Sequence, residues 1–499
     1  MGVLRTDSAE QWHRVHPVSP MVRGWVAVVG VMVLFGRNSF EDLLRSASSG
    51  GRYGPQGPPA WLIITVVGGA VVVFGIAFFL SWYFTRYQVT DDHVRINSGF
   101  IFRQQRQARI DRVQAIDVVQ PLLARIFGLA ELKFEVADAG KSAMKLSFLK
   151  LDEAKRLRAA ILARAAGVAI DPQQPMVVTE APEHLVLQLP AGRIAGATLM
   201  SGISVAVLVV AALLLAAVLA SRSWAVLVAF VPFVLAIGAA YWKSFSTDFN
   251  FRLALSPDGI RLHYGMLETR AQTIPPGRVQ AVGIAQNPLW RIFGWYRVHV
   301  NVAGYGSDHR DHGGRTVLLP AGTLPEVMTV LGLVFPDPGV ENPVQVFTAG
   351  LQGSGADQGF VHSPRRARLI DPLAWRRNAF RSTETALLCR HGVFFRHLQV
   401  VPHERTQSLS LFQGPLMRRF RLVDFELHST AGPVRPVVHH LDAVVAARLF
   451  TEQSARAAKA RRIGRPDRWM MPQPAAPAAG THSPNSSPPI RNDFPQYEH

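Results

Sequence analysis

Residues 112–128 read RVQAIDVVQPLLARIFG, and residues 278–294 read RVQAVGIAQNPLWRIFG. Two such similar stretches at an offset of 166 residues (278 minus 112) mark an internal repeat, and its limits decide the fold. Upstream, VRINSGFIFRQQRQARIDRVQ lies over IRLHYGMLETRAQTIPPGRVQ at the same offset without a gap. A third, more divergent copy is LLCRHGVFFRHLQVVPHERTQSLSLFQGPLMRRFR. Its Gly392, Arg405, Gln407, Gln413, Arg418 and Phe420 fall 293 residues after Gly99, Arg112, Gln114, Gln120, Arg125 and Phe127. In the second copy the same positions are held by Gly265, Arg278, Gln280, Gln286, Arg291 and Phe293. The glycine closing the phrase, Gly128 and Gly294, becomes Arg421 in the third.

Each copy is mostly β. LKFEV (132–136), VHVNV (298–302) and FELHS (425–429) alternate apolar and polar residues, the pattern of a strand with one face on a core. YQVTDDHVRINSGFIFR reads as strand, turn and strand around Asp91 and Asp92, with a second turn at Gly99. Amphipathic helices begin near Leu151, Thr323 and Leu441, so each unit is a set of antiparallel strands closed by one helix. Under about 100 residues suffices for such a unit to bury its own core.

Between the units the chain is apolar. Residues 60–84, 194–220 and 224–242 hold no charged residue and no histidine, and each reaches the roughly 20 residues that span a bilayer. A shorter stretch, Gly24–Gly36, reads as a first span completing a hairpin with 60–84. The alternative is a signal peptide, which Glu41, Asp42 and Arg45 disfavour. The fold expected is therefore membrane α-helical hairpins plus three β-rich units. The boundaries expected are an N-terminal segment with hairpin one (1–84), unit one (85–170), a linker (171–193), hairpin two (194–243), unit two (244–336), a linker (337–372), unit three (373–456) and a basic, Pro-rich tail without a core (457–499). Arg86, Arg95, Arg103, Arg106, Arg109 and Arg112 follow the 60–84 segment, whereas the SRS turn between the later spans holds only Arg222. By the positive-inside rule this places all units and both termini in the cytoplasm of a multi-pass inner-membrane protein.

The motif YQVTDDHVRINSG, with Arg112, Gln114, Arg125, Phe127 and Gly128, resembles the bacterial pleckstrin-homology-like domain of the YdbS/YdbT family. Three units with membrane hairpins resemble its longer, YdbT-type form. Copies one and two fit best; copy three departs in Arg421 and in having no preceding hairpin. The resemblance implies a PH-like half-open barrel plugged at one end by the helix. It also implies roles in the bacterial envelope and in export or tolerance of peptides, and no settled activity.

Chemistry does not point to an enzyme. HExxH, GxSxG, Walker and CxxC patterns are all absent from the sequence, and no cofactor is implied. Asp308, His309, Asp311 and His312 in GYGSDHRDHGGR read as a solvated hairpin tip rather than a metal site, and His439 and His440 read as the start of the third closing helix. The single Cys389 reads as a small strand hydrophobe. A net charge of +18 on membrane-tethered domains suits anionic headgroups; nucleic acid fits poorly, because no recognition helix or zinc spacing accompanies the charge.

The repeated residues Arg112, Gln114, Arg125, Phe127, Arg278, Gln280, Arg291, Phe293, Arg405, Gln407, Arg418 and Phe420 have two readings. They are structural, with Ile126 and Phe127 plugging the barrel and Gly128 at positive φ, or they are a contact surface in which Arg112, Arg278 and Arg405 hold a neighbouring copy or a lipid headgroup. Arg103, Arg106 and Arg109 form a candidate anionic-surface patch. The function expected is a binding and assembly scaffold at the cytoplasmic membrane face. Its candidate partners are the membrane, anionic lipid, a second copy of the chain and a small PH-like membrane subunit. The competing readings are an accessory subunit of a transporter and an anionic-lipid-binding protein.

Overall fold

Strand-forming runs punctuated by glycine turns fold each repeat into two antiparallel sheets and a closing helix. The computed structural model describes residues 12–19, 60–90, 92–99, 103–136, 144–165, 183–221, 225–257, 259–274, 276–303 and 316–463. Unit one comprises β1 (His13–Arg14), α1 (Ala60–Phe84), β2 (Arg86–Val89), β3 (His93–Ser98), β4 (Gln104–Arg109), β5 (Val113–Pro121), α2 (Leu122–Ile126), β6 (Leu129–Val136), β7 (Met144–Lys150) and α3 (Leu151–Ala165). Unit two comprises β8 (His184–Gln188), α4 (Ala191–Leu199), α5 (Gly202–Ser221), α6 (Ala225–Asp248), β9 (Arg252–Ser256), β10 (Gly259–Tyr264), β11 (Glu268–Ile274) and β12 (Val279–Gln286). It ends in a 3-10 turn (Leu289–Phe293), β13 (Tyr296–Val302), β14 (Val317–Gly322) and α7 (Leu324–Val334).

Unit three comprises α8 (Pro343–Gln352), β15 (Val361–His362), a 3-10 turn (Arg365–Leu369), β16 (Ala379–Ser382), β17 (Ala386–His391), β18 (Arg396–Pro402) and β19 (Ser408–Phe412). It is completed by α9 (Pro415–Arg419), β20 (Leu422–His428), β21 (Val437–Asp442) and α10 (Ala443–Ile463).

The units are not separate barrels. The described strands form four sheets in the orders β1-β2-β3-β4, β7-β6-β5-β11-β10-β9-β8, β14-β13-β12-β18-β17-β16-β15 and β19-β20-β21. Strand β5 of unit one thus pairs with β11 of unit two, and β12 of unit two with β18 of unit three. The register is the same at both junctions: Val118 faces Ala271 and Ile284 faces Leu398, residues at equivalent repeat positions. Each shared sheet is covered on both faces. Val282 and Ile284 point into the core of unit two, while Ala281 on the same strand belongs to the core of unit three. This is why β12, VQAVGIAQ, is buried almost throughout instead of alternating.

Glycines at positive φ make the sharp turns. Gly99, Gly265 and Gly392 have φ of 98°, 109° and 80°. A Cβ on Gly265 would lie 1.9 Å from the Glu268 carbonyl oxygen, and one on Gly392 would lie 2.0 Å from that of Phe395. The closing helix of unit two starts at a capping box, Thr323 with Glu326, and Arg193 of α4 pairs with Glu326 at 2.7 Å.

Several boundaries differ from those expected of the sequence. The first strand of each unit precedes the helical insertion: β1 pairs with β2, β8 with β9 and β15 with β16. The helical segment is therefore inserted between strands one and two of a unit rather than standing before it. Segment 171–193 contributes β8 and the start of α4, and 337–372 contributes α8, whose Val346, Phe347 and Leu351 are buried. His439 and His440 lie on β21, at a register shift in its pairing with β20 where the Asp424 carboxylate accepts from the His440 N–H at 2.7 Å, and the helix starts only at Ala443. Residues 457–463, assigned to a coreless tail, continue α10: Ala457 is buried and Arg456 donates to Ser382, while Arg461 and Arg462 suit the negative end of the helix dipole. The Gly24–Gly36 stretch, the GYGSDHRDHGGR loop and the tail beyond 463 lie outside the described residues.

Judged on the described side chains alone, no single helix is long and apolar enough to cross a membrane. One bent pair, 191–204 with 206–221 at 53°, meets that measure by length and composition.

Candidate interaction surfaces

The repeated phrase begins at a 3-10 turn joining the two sheets of a unit, runs through a strand and ends in a short helical turn. Its glutamine has one task in all three copies. Gln120 Nε2 donates to the Leu129 carbonyl (3.2 Å), Gln286 to that of Trp295 (3.2 Å) and Gln413 to that of Leu422 (3.0 Å), each nine residues on. These bonds close the loop over the helical turn. Gly128 and Gly294 leave that turn with φ of 64°, and Arg421 adopts φ of 51° in their place.

The aromatic residue of the phrase does not plug the barrel. Phe127 and Phe293 are 46% and 47% exposed, and Ile126 and Ile292 are exposed beside them. A five-residue turn has one inward position, and it is three residues earlier: Ala124, Trp290 and Met417 are the buried residues, at equivalent places in the three copies. Each grips the chain segment that follows the first strand of its unit. Ala124 clusters with Val18, Trp290 with Ala197, and Met417 with Ala367. In unit two the grip is detailed. Trp290 Nε1 donates to the Ala197 carbonyl at 3.0 Å, Asn287 Nδ2 donates to that of Met200 at 3.1 Å, and Asp248 at the end of α6 pairs with Arg297 at 2.5 Å. The phrase is thus a collar that fixes the entry to the helical insertion. In unit three a 3-10 turn occupies that place.

The predicted arginines do not converge on one site. Arg112, Arg278 and Arg405 each end the 3-10 turn joining the two sheets of their own unit; Arg112 is exposed, Arg278 half-buried, and Arg405 lies 3.2 Å from Glu404. Gln280 is buried and donates to the Arg278 carbonyl at 3.2 Å, whereas Gln407 is exposed. Gln114 lies on β5. Arg291 crosses between units, donating to the carbonyls of Val393 and Phe394 in the β17–β18 hairpin; Arg125 and Arg418 are exposed. Phe420 is half-buried near Met417. Arg103, Arg106 and Arg109 are all exposed, but strand alternation divides them: Arg106 shares a face of β4 with buried Ala108, and Arg109 points to the other.

Residues missed by the sequence reading include two buried arginines. Arg390 on β17 is fully buried; it donates to the carbonyls of Ala349 (2.9 Å) and Arg377 (3.2 Å) and lies 4.4 Å from the centroid of the Phe360 ring. Arg377 donates to the carbonyls of Gly350 and Leu351 at 3.1 and 2.6 Å. Arg377 thus serves carbonyls left open in the last turn of α8, and Arg390 adds a second donor to the Ala349 carbonyl that already accepts the Gly353 N–H, at a helix end where a cation is favoured. Burial lowers the Arg390 pKa to about 10. Nearby, His391 stacks on His397 at 4.8 Å and meets His439 edge-on at 5.6 Å. Among the described residues no group of three or more His, Cys, Asp or Glu is placed to hold a metal ion.

Three stretches of the chain, 41–165, 194–335 and 359–457, match the bacterial PH domain family. The chain belongs to that family. The matched stretches take in α1, α5 and α6 and the 3-10 turn of unit three, and of the three first strands they include only β15. A relative is the UPF0699 transmembrane protein YdbT of Bacillus subtilis (strain 168), 27% identical over 274 residues, which cover 48% of this chain and 54% of the relative. The chain therefore spans about half the length of that curated relative. No solved structure matches.

Proposed function

We propose that the chain is a bacterial inner-membrane scaffold whose three PH domains bind and assemble at the cytoplasmic face, in place of catalysis. The observation that carries this reading is the collar. In unit two it holds the base of α4, from which α5 and α6 leave the domain. At about 1.5 Å per residue, α1, α5 and α6, of 25, 20 and 24 residues, have the length of the roughly 30 Å hydrocarbon core, and among the described residues the bent pair 191–204 with 206–221 meets the apolar measure as well. The name of the Bacillus relative, a transmembrane protein, supports a membrane placement. Ile126, Phe127, Ile292 and Phe293 are then exposed where helices enter lipid, a fitting place for apolar side chains.

Unit three has no such hairpin, yet its collar exposes Leu369, Leu373 and Leu416. Arg365, Arg366, Arg368, Arg418 and Arg419 lie within a few residues of these leucines. Exposed leucines with arginines close by in the chain suit an anionic bilayer surface, each unpaired basic residue contributing about 1 kcal/mol near it, although Arg366 is paired with Asp442. The test uses the full chain in nanodiscs, with a fluorophore on Leu416→Cys and Cys389 left buried. Quenching by lipid-borne nitroxide in phosphatidylglycerol discs, weakened by salt, is the expected result. Quenching only by aqueous iodide, alike in anionic and zwitterionic discs, would remove the lipid contact.

A further inference from the structure

Both internal junctions join the outer edge of one unit's strand five, as β5 or β12, to the outer edge of the next unit's strand four, as β11 or β18. Among the described residues, one edge of each kind has no paired strand. Strand β4 is terminal in its sheet, and β19, the counterpart of β5 and β12, is terminal in its own. We propose that the chain assembles head to tail, β19 of one copy pairing antiparallel with β4 of a second copy.

The internal junctions dictate the register. Val118 faces Ala271 and Ile284 faces Leu398, so the equivalent pair is Leu411 with Gln105. Gly283 faces Gln399, so the next pair is Ser410 with Arg106. The side chains at the open edge fit a junction still to be filled. Val118 is 6% and Ile284 1% exposed at their completed junctions, whereas Leu411 is 43% exposed and its neighbour Phe412 is exposed as well. Charge agrees. Ser410 pairs with Glu426 on β20, so in this register Arg106 of the second copy lies on the same face as Glu426, across one small serine. An edge-to-edge contact between unlike surfaces is heterologous, and it propagates into a ring or an open row. The step relating successive copies is then the one already relating successive units.

The inference deepens the assembly half of the proposed function and is separable from its lipid half. Two differently tagged full-length chains are co-expressed in membranes, one carrying Leu411→Cys and the other Gln105→Cys, and oxidised. A third chain carries Val118→Cys with Ala271→Cys and must crosslink internally, which shows that such a pair is captured when the sheet is present. The expected result is a mixed-tag dimer from the matched pair, at least tenfold stronger than from Leu411→Cys with Ser98→Cys, and lost on adding Arg106→Glu. No dimer beside a positive internal control overturns the proposal. So does equal dimer from the mismatched pair, or Leu411→Cys captured only on a different protein. Lipid quenching at Leu416→Cys that persists without any dimer would leave membrane contact standing and remove head-to-tail assembly alone.

Discussion

Trp290 and Phe293 are three residues apart in one short turn, and both are large and aromatic. Only the first is buried. Trp290 sits 5% exposed between Ala197 and Ala321 with its indole N–H bonded to a carbonyl, while Phe293 lies outside, stacked on Trp295 at 4.9 Å. Truncating a buried aromatic costs about 3 to 5 kcal/mol, from lost transfer energy and the cavity left behind. Trp290→Ala is expected to lower the thermal midpoint of the full chain in detergent and to expose α4 to protease. Phe293→Ala is expected to change stability by under about 1 kcal/mol. Equal destabilisation by the two would put the inward position of the collar elsewhere.

At the scale of elements, the third unit is fastened by groups that titrate. On β17 and β18, His391 and His397 face each other in register, beside His439 on β21. Burial, with His397, His439 and Arg377 nearby, lowers the His391 pKa to about 3; burial and Arg377 lower that of His397. A histidine whose folded pKa lies below its unfolded value of roughly 6.5 stabilises the fold in its neutral form. That stability is complete above the unfolded pKa and is lost as pH falls from about 6.5 toward the folded value. Hydrogen exchange at the amides of β17 and β18 is therefore expected to speed up between about pH 6.5 and 4.5 more than at β10 and β11. His391→Phe should flatten the dependence, and an unchanged pH profile in that variant would assign the effect to other groups.

On the scale of the whole molecule, shared sheets couple the three domains to one another and to the helical insertions. Strand β12 carries the core of unit two on one face and part of the core of unit three on the other, so the domains are expected to unfold together rather than one by one. The proposed placement requires the units to lie on one side of the membrane. A reporter inserted near Gly355 is expected to read cytoplasmic, and one at Arg222, between the two later apolar segments of the sequence, to read external; an external signal at Gly355 would invert the arrangement.

The sequence by itself determined the number of units, their β character with a closing helix, and the apolar segments between them, because periodicity, length and a repeated phrase are properties of consecutive residues. It determined the glycine positions as well, since a positive φ is a local demand. Which residue of the phrase is buried was not legible: Ala124, Trp290 and Met417 differ in every copy, so a search for repeated residues passes over them, and Phe127, Phe293 and Phe420 recur without being the plug. Nor was the order of strands. Ladder hydrogen bonds join backbones, which are the same in every residue, so no side-chain pattern states that β5 pairs with β11 of the next unit, or that β8 returns to a sheet across the whole of α4, α5 and α6. Only the tertiary structure decided that three PH domains share sheets in one continuous set, with β4 and β19 at sheet edges among the described residues.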